Sequence, residues 1–149
     1  MAFNLITAVD MKTTPISELD NLVSAFNHEG DTFDAGCDES DIDLYKKKGR
    51  ELLPYKSVCV VKNWVWWDLE VTEQHKQLLK KNGQHAVLVK ADTVIDDEAG
   101  RFLPGDWVRS SPLVSFTESC IFETQNTVYL LVGKGSRKTI SLDTAIAFF

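Results

Sequence analysis

Several residue types that mark common functional classes are scarce in this chain of 149 residues. The three cysteines, Cys37, Cys59 and Cys120, form no CxxC pair, which argues against a disulfide framework and a zinc knuckle. The three histidines are far apart in the sequence and have no second histidine or cysteine at ligand spacing, so we expect no metal site and no cofactor. Because a GxSxG elbow and a P-loop signature are also missing, no catalytic residue is assigned.

Positive charge and long apolar runs are scarce as well. Lys and Arg number 16 against 22 Asp and Glu, which gives a formal net charge of −6 at pH 7. An acidic chain has no general attraction for phosphate backbones, so we expect no direct nucleic-acid partner. No apolar stretch approaches the roughly 18 residues of a membrane span, and the N-terminus lacks the basic and apolar segments of a signal peptide. The sequence therefore predicts a cytoplasmic protein without a membrane partner.

What remains is an ordinary globular composition, with 44% hydrophobic and 26% charged residues, and a length that suits one domain over residues 1–149. Helical spacing of apolar residues predicts that residues 1–54 are mainly helical, with an acidic loop at 31–43. Residues 55–149 carry short β-branched runs separated by turn signals, with one helix near 72–82. This order predicts an α+β fold, with N-terminal helices packed on a C-terminal antiparallel sheet or small β-barrel.

Two turns inside the β-rich part are specific predictions. The runs on either side of Lys62-Asn63 are expected to form a hairpin. The stretch Gly133-Lys134-Gly135-Ser136 is interpreted as a glycine-rich hairpin turn between two strands. The strands should supply much of the core through Val108, Val114, Phe116, Ile121, Phe122, Val128, Leu130 and Val132.

The strongest charge feature is a run of six carboxylates with no positive charge among them, called the acidic segment below. Its register does not fit the calcium loop of an EF-hand. One interpretation is a solvated loop whose aspartates cap the next helix, and the other is a recognition surface for a basic partner protein. The basic residues Lys46, Lys47, Lys48 and Arg50 follow directly and would neutralise part of this charge. The six residues are Asp31, Asp34, Asp38, Glu39, Asp41 and Asp43.

An aromatic cluster, Trp64, Trp66 and Trp67, is the second candidate for partner binding. On a strand, Trp64 and Trp66 share one face while Trp67 points the other way. Three large rings within four residues are difficult to bury in a small domain, so core packing and a binding surface both stay open.

A second functional class is a small enzyme or binding module for a nucleotide or another phosphorylated ligand. Its anion contacts would be Arg109, Lys134, Arg137 and Lys138. A pocket that includes Arg109 would favour this class, whereas a flat acidic or aromatic surface would favour a protein-binding module.

The stretch PGDWVRSSPLVSFTESCIFETQNTVYLLVGKGSRKTI, residues 104–140, resembles a family of uncharacterised bacterial proteins. The family is a domain of unknown function, found mostly in pseudomonads and on mobile or prophage-like elements, and has no established catalytic or binding residue. The resemblance implies a mobile-element context. Together with the acidic charge, it leads us to expect a non-enzymatic, protein-binding accessory protein of phage type. Such a protein would bind a basic surface of a host protein and inhibit a nucleic-acid-handling or defence complex, as anti-CRISPR proteins do.

Overall fold

A computed structural model describes residues 30–147 of the chain. Strands take 42% of these residues and helices 24%. The helix predicted before Gly30 lies outside the described residues. In chain order the elements are β1 (Asp31–Phe33), a 3-10 turn (Glu39–Asp41), α1 (Ile42–Leu52), β2 (Ser57–Glu70), α2 (Glu73–Lys81), β3 (Val87–Asp97), β4 (Val108–Arg109), β5 (Ser115–Thr117), β6 (Ile121–Glu123), β7 (Thr127–Val132), β8 (Gly135–Ser141) and α3 (Leu142–Ile146).

Strand β2 lies at the centre of the sheet. Nine of its 14 residues are buried, in two runs of four and at Leu69, as expected for a strand that is covered on both faces. One edge of β2 pairs with β3 in antiparallel orientation, and the other edge pairs in parallel first with β7 and then with β8. The predicted hairpin at Lys62-Asn63 is therefore wrong. Asn63 adopts a left-handed backbone conformation, with φ 55°, and bends one continuous strand instead of reversing it.

Strands β7 and β8 run in the same direction, because both are parallel to β2. The pairs Lys62–Val132 and Val65–Ser136 bracket two residues on β2 but three on the β7–β8 side. The extra residue makes a bulge at Gly133, where φ is 72°. The predicted hairpin turn over residues 133–136 is thus wrong. A glycine with positive φ fits a bulge as well as a turn, so the composition alone does not distinguish the two.

The remaining strands extend this centre into one curled half-barrel of eight strands. Strand β6 pairs with β7 and with β5, β1 pairs with β8, and β4 pairs with β3, all antiparallel. The predicted arrangement of N-terminal helices on a C-terminal antiparallel sheet is wrong, because β1 precedes the first described helix and the central strand β2 pairs in parallel with β7 and β8. Within residues 30–147, only one helical run, over residues 39–52, reaches 14 residues. Local sequence patterns did not reveal this topology, because parallel partners lie far apart in the chain.

The core lies on both faces of the sheet. One face is rich in aromatic rings and includes Trp64 and Trp66, while Trp67 lies in a separate cluster with Val65 and Leu88. This confirms the predicted alternation of the three tryptophans. A third cluster forms where α1 packs against β2 and β7. Of the predicted core residues, two are half-buried, Val114 and Phe116, and six are buried: Val108, Ile121, Phe122, Val128, Leu130 and Val132.

Two short helices lie near the ends of the central strands. Helix α2 begins after Thr72, whose side chain accepts a hydrogen bond from His75 N at 3.2 Å. Helix α3 begins after Ser141, whose hydroxyl accepts from Thr144 N at 3.1 Å. Within residues 30–147, no helix combines the length and the apolar character needed to cross a membrane.

Candidate functional site

The acidic segment is not the continuous loop that its composition predicts. It begins as the edge strand β1, continues through an irregular stretch, and ends in the 3-10 turn and the first turn of α1. Asp41 is half-buried, and the other five acidic side chains are exposed. The segment therefore presents its carboxylates to solvent from ordered backbone.

Three contacts fix that backbone to the sheet. The Phe33 ring packs edge-on against Trp66, with centroids 5.2 Å apart. Gly36 N donates to Ser119 O at 2.7 Å, and Cys37 N donates to Leu131 O at 2.9 Å. Cys37 itself is buried. The carboxylates thus stand on a rigid support, as binding residues on a scaffold often do.

The aspartates do not cap the helix that follows. Asp38 and Asp41 occupy the N-cap positions of the 3-10 turn and of α1, but neither side chain makes a capping hydrogen bond. The interpretation of these residues as helix caps is therefore wrong. Neither carboxylate satisfies the orphan N–H groups at the helix start.

The basic residues after the acidic segment do not neutralise it. Lys46 pairs with Asp96 at 2.8 Å, Lys48 lies 3.6 Å from Glu118, and Arg50 pairs with Glu98. These partners belong to the sheet and its turns. Within the described part of the chain, none of the six carboxylates of the acidic segment forms an ion pair.

The tryptophan cluster lies in the core, so the binding-surface interpretation of Trp64, Trp66 and Trp67 needs correction. Trp64 and Trp67 are 0% exposed and Trp66 is 7% exposed. The Trp64 indole N–H donates to Gly133 O at 3.0 Å, and that of Trp66 to Asp68 Oδ1 at 3.2 Å. A curled sheet covered on both faces buries rings that a flat one would leave exposed. Core packing therefore describes all three.

The four predicted anion contacts do not converge on one site. Arg137 pairs with Asp68, with Nε 2.6 Å from Oδ2, and stacks over Phe33 and Trp66. The hydrogen bond with Asp68 raises the pKa of Arg137. Lys138, one residue along β8, stands opposite Trp67, which belongs to the other face. Arg109 lies on β4, and exposed Lys134 lies at the bulge between β7 and β8.

Lys90 is a buried cation that the sequence analysis missed. Its side chain is 0% exposed and pairs with Asp92. It stands opposite Arg109 across β3 and β4, and burial lowers the pKa of Arg109 to about 10. Fully buried lysines are rare unless they are paired. A lysine inside the apolar run Val87-Leu88-Val89-Lys90-Ala91 was the signal available in the sequence.

A polar cleft opens where β2 bends at Asn63 beside the bulge at Gly133, a region called the crease below. The residues that line the cleft come from β2, β3 and the β7–β8 junction. Its volume is about 330 Å³. The lining residues are Asn63, Trp64, Asp92, Lys134, Gly135 and Ser136. Of the predicted anion contacts, only Lys134 reaches it.

The thiols offer no nucleophile. Burial raises the pKa of Cys59 to about 12 and that of Cys120 to about 12. Burial also raises the pKa of Cys37, and the charges of Asp41 and Asp38 add to this effect. Thiols that stay protonated are inert at neutral pH. No group of three His, Cys, Asp or Glu side chains within residues 30–147 is placed to hold a metal ion.

These features define a mixed-sheet half-barrel with an exposed acidic edge and a small polar cleft. The chain belongs to the family described as a domain of unknown function, DUF6957, whose model matches residues 34–147. The match starts inside the acidic segment and is therefore wider than the resemblance over residues 104–140. No curated protein and no solved structure shows significant similarity to this chain.

Proposed function

We propose that the protein is a non-enzymatic binding protein that docks onto a basic surface of another protein through the acidic segment. The observation that carries this proposal is the state of its carboxylates. Five of them are exposed, and none is ion-paired within the described part of the chain. Unpaired like charges on a rigid edge repel one another in the free protein, and a basic partner relieves that repulsion.

More specifically, we propose that the partner is a host nucleic-acid-handling or defence complex. The protein would then be an accessory protein of phage or mobile-element type that binds this complex. Proteins that hold phosphate backbones carry dense patches of Lys and Arg. A small acidic surface fits such a patch by charge and blocks it against nucleic acid. Charge complementarity is the support for this form, and the resemblance over residues 104–140 supplies the mobile-element context.

Association kinetics test the proposal. The partner is captured from the native host with the tagged protein and identified by mass spectrometry, and its binding to purified variants is then measured at low and physiological salt. The test variant combines Asp34→Asn, Asp38→Asn, Glu39→Gln and Asp41→Asn. It should associate about tenfold or more slowly at low salt, and its rate should depend less on salt.

A matched control removes the same amount of charge elsewhere. The substitutions Glu51→Gln, Glu70→Gln, Glu73→Gln and Asp143→Asn neutralise four carboxylates outside the acidic segment. The control should associate nearly as fast as the parent. If the test variant associates as fast as the parent at low salt, or if both variants slow equally, the acidic segment is not the recognition surface.

A further inference from the structure

We propose that the cleft at the crease binds a small sugar phosphate, with the phosphoryl group at Lys134 and the sugar hydroxyls at Asp92 and Asn63. This site lies apart from the acidic segment and goes beyond the docking function. Its basis is the backbone of the crease, the space that the crease leaves open, and the polar groups that line it.

The backbone of the crease departs from regular sheet at the centre of the molecule. Asn63 and Gly133 both have positive φ, and they lie where β2 meets the β7–β8 junction. The pairing of β2 with β3 also shifts register, between Val60 and Val61. A non-glycine residue held at positive φ costs on the order of 1 kcal/mol, and such irregularities cluster at binding sites because they redirect side chains.

Glycine at position 135 lets the Trp64 indole ring pack against the backbone at the floor of the cleft. A Cβ atom at Gly135 would collide with the indole ring of Trp64, so any other residue would displace a buried tryptophan. The group that approaches the backbone of this strand glycine is the Trp64 ring, which fixes the floor of the cleft. The cleft is about 330 Å³ in volume, at the lower end of the range for small-molecule sites.

The groups that line the cleft combine one cation with hydrogen-bonding oxygens and an amide. Lys134 is exposed and forms no ion pair within the described part of the chain, so its ammonium group is available to a phosphoryl oxygen. The Asp92 carboxylate is held by buried Lys90, which compensates its charge. Ser136 adds a hydroxyl and Asn63 a carboxamide.

This set selects one ligand class. A carboxylate and a carboxamide together accept from and donate to hydroxyl groups, as sugars require. The single cation among the lining residues, Lys134, suits one phosphoryl group. The volume fits a five-carbon or six-carbon sugar monophosphate.

Isothermal titration of the full chain with ribose 5-phosphate tests the proposal, with ribose and inorganic phosphate as the separate parts. Ribose 5-phosphate should bind saturably and at least about tenfold more tightly than either part, which equals about 1.4 kcal/mol. Adenosine 5′-monophosphate contains the same ribose 5-phosphate unit, with an added base. Tighter binding of this nucleotide supports the site and assigns it to nucleotides, and equal or weaker binding supports a free sugar phosphate.

Two variants locate the binding. Lys134→Ala should weaken ribose 5-phosphate at least about tenfold, whereas Lys47→Ala, an equal charge change on α1 away from the cleft, should not. Asn63→Gly removes the carboxamide but keeps a backbone that tolerates positive φ. It should weaken ribose and ribose 5-phosphate but leave inorganic phosphate unchanged.

Three results would overturn the proposal. They are the absence of saturable binding at about 10 mM ribose 5-phosphate, equal affinity for inorganic phosphate, and equal weakening by Lys134→Ala and Lys47→Ala.

Discussion

The acidic segment at residues 31–43 and the acidic turn Asp96-Asp97-Glu98 each concentrate carboxylates in a short stretch of chain. In the acidic turn every carboxylate has a cationic partner, because Asp96 pairs with Lys46, Asp97 with Arg101 and Glu98 with Arg50. In the acidic segment no such pair exists within the described residues.

Backbone donors make the larger difference between the two regions. Asp97 accepts from Arg101 N at 2.8 Å and from Phe102 N at 3.2 Å. Glu98 accepts from Val58 N at 2.7 Å, where β2 begins. A carboxylate that satisfies backbone N–H groups belongs to the fold, and one that faces only solvent is free for a partner. The comparison teaches that the density of acidic residues does not separate these roles, whereas the local donors do.

The largest expected effect comes from Asp97→Asn, which tests whether the acidic turn stabilises the fold. The Asp97 side chain is fully buried. The variant loses the charge-assisted hydrogen bonds from Arg101, and it places an NH2 group, which is itself a donor, against N–H donors that need an acceptor. Urea unfolding should show a loss of about 2–4 kcal/mol in the free energy of unfolding. Asp38→Asn in the acidic segment is the control and should stay within about 0.5 kcal/mol. Equal losses in both variants would erase the distinction.

A smaller effect is expected from Glu98→Ala, which leaves Val58 N without its acceptor. The loss should be about 1–2 kcal/mol by urea unfolding. Glu98→Gln keeps an acceptor for Val58 N and loses only the exposed pair with Arg50, so it should cost less than about 1 kcal/mol. If Gln costs as much as Ala, the ion pair and not the backbone bond is the important contact.

The third prediction concerns pH. Burial opposes ionisation of Asp97, but hydrogen bonds from Arg101 and Phe102 outweigh it and hold the pKa of Asp97 below its usual range. Lys56 and Ser115 overcome burial in the same way and lower the pKa of Glu123. Carboxyls with depressed pKa values stabilise the fold above their unfolded pKa, about 4, and that stability is lost as the pH falls through the folded pKa.

Urea unfolding at about pH 7, 4 and 3 measures this loss. The parent should lose more stability across that range than Asp97→Asn, which has one linked carboxyl fewer. Parallel curves for the two proteins would show that Asp97 does not contribute to the acid sensitivity.

What the sequence predicted correctly rests on local periodicity. The alternation of Trp64, Trp66 and Trp67 follows from the two-residue repeat of a strand, and six of the eight predicted core residues are buried. The acidic segment was predicted to be exposed, but its ordered backbone and its lack of ion pairs within the described residues were not visible in the sequence.

What the sequence did not predict depends on partners that are distant in the chain. Lys62-Asn63 and the stretch 133–136 have the composition of turns. Only the parallel pairing of β2 with β7 and β8 shows that the first is a bend within β2 and the second a bulge between two strands that run in the same direction. The crease and its cleft follow from that pairing. The burial of Lys90 was not predicted, because a Lys and an Asp two residues apart are equally typical of the exposed face of a surface strand.

The smallest effect is expected from the fourfold variant Asp34→Asn, Asp38→Asn, Glu39→Gln and Asp41→Asn, measured for stability alone. Two contributions oppose each other in it. Neutralising Glu39 and Asp41 removes favourable charge from the helix start, which costs a few tenths of a kcal/mol per residue, while fewer like charges repel one another along the segment. Because Asp38 and Asp41 make no capping hydrogen bond, the variant loses no capping contact. The free energy of unfolding should therefore change by less than about 1 kcal/mol in urea.

Added salt should stabilise the parent more than the variant, since only the parent has the full repulsion to screen. A loss above about 2 kcal/mol would place the acidic segment with the acidic turn, as part of the fold, and the recognition surface would then have to lie elsewhere.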